Sequence, residues 1–218
     1  MRALTHLLGG CGLLVILALF AVSCSNPSSP SPVAGQSTPT PTPPVITPRD
    51  IDDTQEAWCH GLIEISRLSR PPIGDWQGEA NRFVDKMYDF NGPYQFLFRP
   101  TLAYGAHAFR TDRAGTLSYF IGGNEREYPN DGQGFARGPW TDCHASNDLP
   151  RGVKGVQIYG NIALAMGTVT LTDLQNKPTV VDKIFVFRKL PDNTVKLMVH
   201  MSAKANEAPT PTPTPTPK

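Results

Sequence analysis

The sequence predicts an α+β fold, in which N-terminal helices pack on a mostly antiparallel sheet. Two observations support this prediction. Apolar residues recur at helical spacing between residues 53 and 90, and from residue 94 the apolar period changes to two. Three long alternating segments then occupy the C-terminal part of the chain. Helices followed by several long strands are typical of a sheet whose one face is covered by helices.

Two helical segments come first. The first helix is predicted to begin at Asp53, because Glu56 follows three residues later as in a capping arrangement. Its apolar stripe consists of Trp58, Leu62 and Ile65. The second helix is predicted from a 3-4 spaced stripe and ends at residues 91–93, Asn-Gly-Pro. That stripe consists of Ala80, Phe83, Val84, Met87 and Tyr88.

A first strand is predicted over residues 94–101, with Phe96 and Phe98 on one face and Thr101 on the other. Residues 114–121, AGTLSYFI, fit a short helix or a strand equally well. A polar loop follows over residues 122–134. The remaining strands are predicted as an edge strand over residues 135–143 and three long strands over residues 156–171, 179–190 and 194–204.

The N-terminus predicts export. Arg2 and His6 precede an apolar run that is too short and too close to the start for an ordinary membrane span. The run ends in Ala-Val-Ser-Cys at residues 21–24, which resembles the lipobox of bacterial lipoproteins. Residues 1–23 are therefore predicted as a lipoprotein signal peptide and Cys24 as the lipidated residue, on a periplasmic or outer cell surface. A plain transmembrane anchor is the alternative.

Proline and small polar residues dominate both flanks of the chain. Residues 24–48 are predicted as a disordered linker and residues 207–218 as a disordered tail, because such sequences bury too little apolar surface to fold. We interpret both as spacers, with peptide recognition as the alternative. A single domain over residues 49–206 remains. The net charge of +1 argues against a nucleic-acid partner.

The domain contains two cysteines, Cys59 and Cys143. Outside the cytosol they form either a disulfide or two buried thiols, and the sequence does not decide between these alternatives. The dipeptides Cys59-His60 and Cys143-His144 suggest zinc, but they lack the short spacing through which one segment usually supplies two ligands. We therefore predict no metal cofactor, with zinc or manganese as less favoured alternatives.

The last strand carries the main candidate chemistry, His200 and Ser202. Strict alternation places both residues on one face and puts Val195, Leu197, Val199, Met201 and Ala203 on the other. The apolar face is expected to pack on the helices. This reasoning favours the outer surface for His200 and Ser202, and a position at the mouth of a pocket in a curved sheet is the alternative.

Six motifs, in order, resemble the iota-class carbonic anhydrases. They are FRPTL from Phe98, FRT from Phe109, GTLSYFIGG from Gly115, GFARGPW from Gly134, DKIF from Asp182 and VHMS from Val199. The resemblance implies the cone-shaped nuclear transport factor 2-like fold, with helices on a curved sheet. This fold is related to the association domain of calcium/calmodulin-dependent kinase II. The resemblance also implies a homodimer, and carbon dioxide and bicarbonate as substrates.

The resemblance further implies a catalytic pocket made of Thr101, Tyr119, His200 and Ser202. The family's terminal motif is His-His-Ser-Ser, and here Met201 and Ala203 replace the second member of each pair. Strict alternation puts these two positions on the core-facing side. If the family uses the second pair, this chain has lost it.

Together with the predicted signal peptide and lipidated Cys24, the resemblance implies an exported, lipid-anchored carbonic anhydrase that works without a metal. A metal-free pocket needs a base that titrates near neutrality, and histidine is the ordinary candidate. In this hypothesis the Thr101 and Tyr119 hydroxyls orient water and bicarbonate, and His200 with Ser202 relays the proton. A non-catalytic ligand-binding or association module of the same fold is the alternative, in which Tyr119 and Thr101 are ordinary core and strand residues.

Overall fold

The computed structural model describes residues 44–205, so the predicted signal peptide, Cys24, most of the predicted linker and the tail lie outside the described residues. Within that range, helices pack on one face of a curved sheet, and the predicted α+β fold is confirmed. The helices are α1 (Pro48–Leu68), α2 (Trp76–Met87) and α3 (Arg113–Ile121). The strands are β1 (Leu97–Arg99), β2 (Trp140–Ser146), β3 (Asp148–Leu149), β4 (Val153–Lys154), β5 (Val156–Tyr159), β6 (Ile162–Asp173), β7 (Pro178–Lys189) and β8 (Val195–Lys204).

Helix α1 begins earlier than the sequence predicts. The Thr47 side chain accepts a hydrogen bond from the Asp50 backbone N–H, and the Asp50 carboxylate accepts one from the Thr47 N–H at 2.7 Å. This reciprocal capping box satisfies N–H groups that have no partner within the helix. The predicted start at Asp53 with Glu56 is therefore wrong, and both residues lie exposed inside α1.

The apolar stripe predicted for α2 is confirmed, with its four helical members buried. The undecided segment 114–121 belongs to a helix, α3. Its N-terminus is fixed by the Asp112 carboxylate, which accepts a hydrogen bond from the Gly115 N–H at 2.7 Å. Gly122 ends the helix at φ 71°, a backbone angle that favours glycine.

The main sheet has the strand order β1-β8-β7-β6-β2, and β5 also pairs with β6. All its pairs are antiparallel except β1 with β8, which are parallel. Strands β3 and β4 form a separate two-stranded sheet. This order places β8 between the short strand β1 and the long strand β7, so β8 is an interior strand of the sheet.

Several predicted strand boundaries are wrong. The predicted strand 156–171 is a hairpin of β5 and β6, because Gly160 turns the chain at φ 61°. The predicted edge strand 135–143 begins as a 3-10 turn over Phe135–Arg137, and β2 starts only at Trp140. The first strand is reduced to the three residues of β1, since Thr101 lies in the bend that follows it.

Strand β8 departs from strict alternation. Phe187 of β7 pairs with Leu197 and Val186 pairs with Val199, so Met198 is an extra residue in a β-bulge. Beyond the bulge the two faces exchange, as expected after a one-residue slip. Leu197 lies on the inner face, and so do His200 and Ser202, which are 3% and 5% exposed. The expectation that His200 and Ser202 face outward is therefore wrong.

Candidate active site

The four predicted site residues meet at one small cavity between the inner face of the sheet and helices α1 and α3. Its volume of about 10 Å³ is of the order needed to hold one water molecule. Apolar and aromatic side chains make most of its wall. The lining residues are Trp58, Thr101, Tyr119, Phe120, Phe135, Val169, Leu171, Val181, Lys183, His200 and Ser202.

Thr101 and Ser202 form a hydroxyl pair at the cavity. The Thr101 Oγ1 hydroxyl donates to Ser202 Oγ, with 2.8 Å between the two oxygens. The parallel pairing of β1 with β8 brings these residues together although they lie 101 positions apart in the chain. Since Ser202 accepts this bond, its own proton remains available to a molecule in the cavity.

Tyr119 supplies a second hydroxyl from α3. The side chain is 5% exposed, and its hydroxyl is buried without a hydrogen-bond partner among the described residues. Burial raises the pKa of Tyr119 above its usual range, while the neighbouring Thr101 side chain acts in the opposite direction. Buried hydroxyls are nearly always paired in folded proteins. The unpaired phenol therefore marks a place where a ligand oxygen can bind.

His200 is held by a chain of hydrogen bonds through the core. The Trp58 indole N–H donates to the Tyr88 hydroxyl at 2.9 Å, and that hydroxyl lies 3.0 Å from His200 Nδ1. Because the hydroxyl accepts from Trp58, its proton is assigned to the bond with Nδ1. His200 then carries its own proton on Nε2, which leaves an N–H donor for the cavity.

Aromatic rings enclose the imidazole. The Phe98 and Phe185 rings lie with their centroids 4.4 and 4.6 Å from that of His200. Burial, helped by the charge of Lys183, lowers the pKa of His200 to about 3. A histidine that is neutral at pH 7 with so low a pKa is a poor proton acceptor. This low pKa argues against His200 as a base that titrates near neutrality, and its catalytic role stays a prediction.

Lys183 is the cavity residue that the sequence analysis missed. Its ammonium group is buried and donates to Gln55 Oε1 and Asn147 Oδ1, both at 2.6 Å. The signal was present in the sequence, because Lys183 alternates in phase with Val181, Phe185 and Phe187, which are all buried. A lysine on the apolar face of a strand is unusual and indicates a specific role.

A second cavity of about 170 Å³ adjoins the first. Tyr119 and Phe135 line both, so their rings form the wall between the two cavities. The Tyr119 and Phe135 rings are stacked, with centroids 5.5 Å apart. The second cavity is the nearest described space from which a small molecule can approach the site.

The two domain cysteines are joined. Cys59 of α1 and Cys143 of β2 form a disulfide, with their α-carbons 5.2 Å apart. This pairing attaches the first helix to the edge of the sheet. Within residues 44–205, no group of three or more histidine, cysteine, aspartate or glutamate side chains is arranged to hold a metal ion.

Known proteins share this architecture. The family model for metal-independent carbonic anhydrase matches residues 49–204. The chain belongs to the metal-independent carbonic anhydrase family. A metal-independent carbonic anhydrase from Nostoc sp. strain PCC 7120 is 36% identical over 163 residues, which cover 72% of this chain and 73% of that protein.

One solved structure agrees with this membership. The crystal structure of an iota-carbonic anhydrase from a cyanobacterium, complexed with bicarbonate, is 33% identical. The structural match covers 78% of this chain and 99% of the cyanobacterial chain, with a TM-score of 0.68. A nuclear transport factor 2-like protein from Salmonella enterica serovar Typhimurium is 10% identical to this chain, with a TM-score of 0.43. That match covers 75% of this chain and 94% of the Salmonella chain.

Membership in the family gives the activity. The chain is a carbonic anhydrase, a lyase that interconverts carbon dioxide and bicarbonate, and the family to which it belongs is metal-independent. The predicted resemblance, fold and enzyme class are confirmed.

Met201 is 40% exposed and lies on the outer face with Ala203. The expectation that Met201 and Ala203 face the core is therefore wrong. The two motif positions that line the cavity are His200 and Ser202, and these keep the motif's histidine and serine.

Proposed function

We propose that Thr101, Tyr119, His200 and Ser202 form the site at which this carbonic anhydrase binds carbon dioxide and bicarbonate. The observation that carries the proposal is the buried, unpaired Tyr119 hydroxyl at a cavity that also contains the Thr101–Ser202 hydroxyl pair. The bicarbonate complex of the cyanobacterial relative supports the choice of ligand. The closed cavity holds one water with up to three donors around it, and its wall must move outward to admit bicarbonate.

The donors suit the charge that develops during the reaction. The Tyr119 O–H, the Ser202 O–H and the His200 Nε2–H have no acceptor assigned to them among residues 44–205. When water attacks carbon dioxide, negative charge accumulates on the carbon dioxide oxygens. Fixed donors in an apolar cavity stabilise such charge without having to reorient. Tyr88 and Trp58 are positioning residues, because they hold His200 in the donor tautomer.

The test is a stopped-flow measurement of carbon dioxide hydration by the purified full chain, with and without a metal chelator. We expect hydration well above the buffer rate and no loss in the chelator. A rate equal to that of buffer would overturn the proposed site and leave a ligand-binding or association module. Complete loss of activity in the chelator would contradict a metal-independent mechanism.

We also propose that this carbonic anhydrase is exported and anchored through a lipid on Cys24. The short apolar run before Cys24 supports export. The disulfide between Cys59 and Cys143 gives independent support, since structural disulfides persist in oxidising compartments outside the cytosol. The Pro-rich segment before residue 48 is long enough to hold the domain away from a membrane surface.

Replacing Cys24 by alanine should release the protein from membranes of an expressing bacterium. The acyl chains contribute about 0.8 kcal/mol for each buried methylene, and the variant lacks their attachment point. The measurement is the fraction of protein that sediments with membranes, compared with a Ser25→Ala control that keeps Cys24. Equal sedimentation of the Cys24→Ala variant and its control would contradict the lipid anchor.

We infer that the domain forms a homodimer through the outer face of its sheet. Met166, Ile184 and Met201 are paired in register across β6, β7 and β8 and form an apolar row on that face. Met166 and Met201 are 43% and 40% exposed. Contiguous apolar surface of this kind is typical of interfaces, and a two-fold axis would pack the row against itself.

Replacing Met201 by glutamate should convert the dimer to a monomer, because it places a charge at the β8 end of the apolar row, inside the proposed interface. The molar mass is measured by light scattering after size exclusion. Gln175→Glu is the matched control, since it adds the same charge at an exposed turn residue. A wild-type protein that is monomeric, or a Met201→Glu variant that stays dimeric, would contradict this interface.

A further inference from the structure

Lys183 occupies an unusual place for a lysine. It lies on the inner face of β7, opposite Gly167 of β6 and Ser202 of β8, and its side chain is 1% exposed. It lines the cavity that contains the four proposed site residues. The ammonium lies 5.0 Å from the centroid of the Phe185 ring. The donor groups of Tyr119, Ser202 and His200 do not account for the presence of this ammonium group.

The hydrogen bonds of Lys183 leave one position on nitrogen free. Nζ donates to Gln55 Oε1 and Asn147 Oδ1, which use two N–H bonds in either protonation state. The remaining tetrahedral position is a third N–H in the ammonium form and a lone pair in the amine form. In the described part of the chain, no third group accepts from Nζ and no carboxylate lies within 4.0 Å of it.

We propose that Lys183 is the proton acceptor of the reaction. In the hydration direction its neutral amine takes a proton from the attacking water, and in the reverse direction its ammonium returns it. This proposal rests on the proposed site, because that site, once its wall has opened, places the water and carbon dioxide beside Lys183, which lines the closed cavity. The two amide side chains are positioning residues that hold Nζ in one orientation.

The step balances. The lone pair of the amine binds one water proton, and the water oxygen forms a bond to the carbon of carbon dioxide. One C=O electron pair moves onto its oxygen, so the products are bicarbonate and an ammonium ion. The new positive charge lies beside the new anion and stabilises it at short range. Lys183 then loses its proton to a water or buffer molecule, and bicarbonate leaves.

The charges around Lys183 suit this cycle. Burial lowers the pKa of Lys183 to about 8, and the negative charge of Asp52 on α1 opposes the shift. His200 and Tyr119 line the same cavity, and both are neutral, because burial lowers the pKa of His200 to about 3 and raises the pKa of Tyr119. Gln55, Asn147 and Ser202 carry no charge. An acceptor with a pKa near the working pH is the most effective proton acceptor.

The structure also provides an exit for the proton. Gln55 and Asn147, which bind Nζ, also line an open groove of about 1040 Å³ along α1 and β2. Lys183 therefore lies between the closed cavity and this groove. Gln55 and Asn147 separate Nζ from the groove, so a proton leaves on this side when one of the two amides moves aside and admits water.

Two variants test the proposal. Lys183→Arg keeps the positive charge but cannot be deprotonated near neutral pH, and Lys183→Met keeps the length without the charge. We expect the hydration kcat to fall by about 10²-fold or more in both, the size expected for removing a general base. Lys183→Arg should keep its bicarbonate affinity within about threefold. The wild-type rate should rise through pH 8, and this rise should disappear in Lys183→Arg.

The proposal can also be tested on the wild-type protein alone, by measuring the pKa of Lys183. The Lys183 side-chain signal, followed by nuclear magnetic resonance through a pH titration, should report a pKa near 8 that rises when bicarbonate is added. An ordinary pKa above 10 would overturn the proposal, as would a wild-type rate in either folded variant. A wild-type protein without hydration activity would overturn the proposed site itself. An active enzyme whose pH profile survives Lys183→Arg would overturn only the role of Lys183.

Discussion

Replacing Tyr119 by phenylalanine will reduce kcat/KM for carbon dioxide hydration by about 10²-fold while slightly stabilising the fold. Loss of one fixed donor at a developing oxyanion costs 10²- to 10³-fold in comparable sites, or roughly 3–4 kcal/mol. The hydroxyl has no partner within hydrogen-bond geometry among the described residues, and the nearby Thr101 side chain and Leu102 backbone stabilise it only weakly, so its removal breaks no well-formed internal hydrogen bond. Because a buried unpaired group costs about 1–3 kcal/mol, the free energy of unfolding should rise by about 1 kcal/mol. Stopped-flow kinetics and denaturant unfolding measure the two effects.

Tyr88→Phe is the matched control, since it removes a phenol hydroxyl that is fully paired. The change leaves the Trp58 indole N–H and His200 Nδ1 without partners in a buried site. We expect the free energy of unfolding to fall by about 2 kcal/mol. Opposite signs of the stability change in the two tyrosine variants would show that one hydroxyl serves the fold and the other serves the ligand. A Tyr119→Phe enzyme with wild-type kcat/KM would remove Tyr119 from the site.

The fold class was predictable because the pattern of apolar residues is long and regular. The stripe of α2 and the alternation of β7 leave few alternatives, and their partners in the core are determined by burial. Boundaries depended on weaker local signals. Thr47-Pro48 marks the start of α1 more strongly than Asp53, and Gly160-Asn161 marks a hairpin inside one apparent strand. Each error arose where a turn or cap competes with a longer pattern.

The site was harder to predict because it depends on one inserted residue. Met198 forms the bulge that turns His200 and Ser202 inward, and nothing in the residue types of β8 distinguishes it from its neighbours. The shift in register is recognised only from the pairing of β8 with β7 in the structure. For the same reason the replaced motif residues, Met201 and Ala203, were assigned to the wrong face. The resemblance pointed to the motif histidine and serine, and the structure shows that both side chains line the inner cavity.

The chemistry of His200 illustrates a second limit. A histidine near other polar motif residues suggests a base, because its ordinary pKa lies near neutrality. Here the imidazole is enclosed by Phe98, Phe185 and Trp58, and its Nδ1 is occupied by Tyr88. These neighbours come from four separate parts of the chain. The change from base to donor therefore follows from packing, which periodicity along a single strand does not report.

Removing the disulfide will destabilise the domain by about 4 kcal/mol. Cys59 and Cys143 are 84 positions apart, and closing a loop of that length removes much conformational entropy from the unfolded chain. The enclosed segment contains α2, β1 and α3, so it includes Thr101 and Tyr119. For a domain of this size, a loss of that magnitude lowers the unfolding midpoint by roughly 10 °C. The double variant Cys59→Ala/Cys143→Ala tests this by thermal and denaturant unfolding.

Reduction of the wild-type protein provides the matched control, because it opens the same loop without changing the sequence. We expect reductant to lower the unfolding midpoint of the wild type and to leave that of the double variant unchanged. Two thiols should become alkylated in the unfolded wild-type domain only after reduction. Alkylation of both cysteines without reductant, or equal stability of the wild type and the double variant, would contradict the bridge. Since the bridge holds α1 against β2, its loss should also loosen the groove that Gln55 and Asn147 line, and with it the support of Lys183.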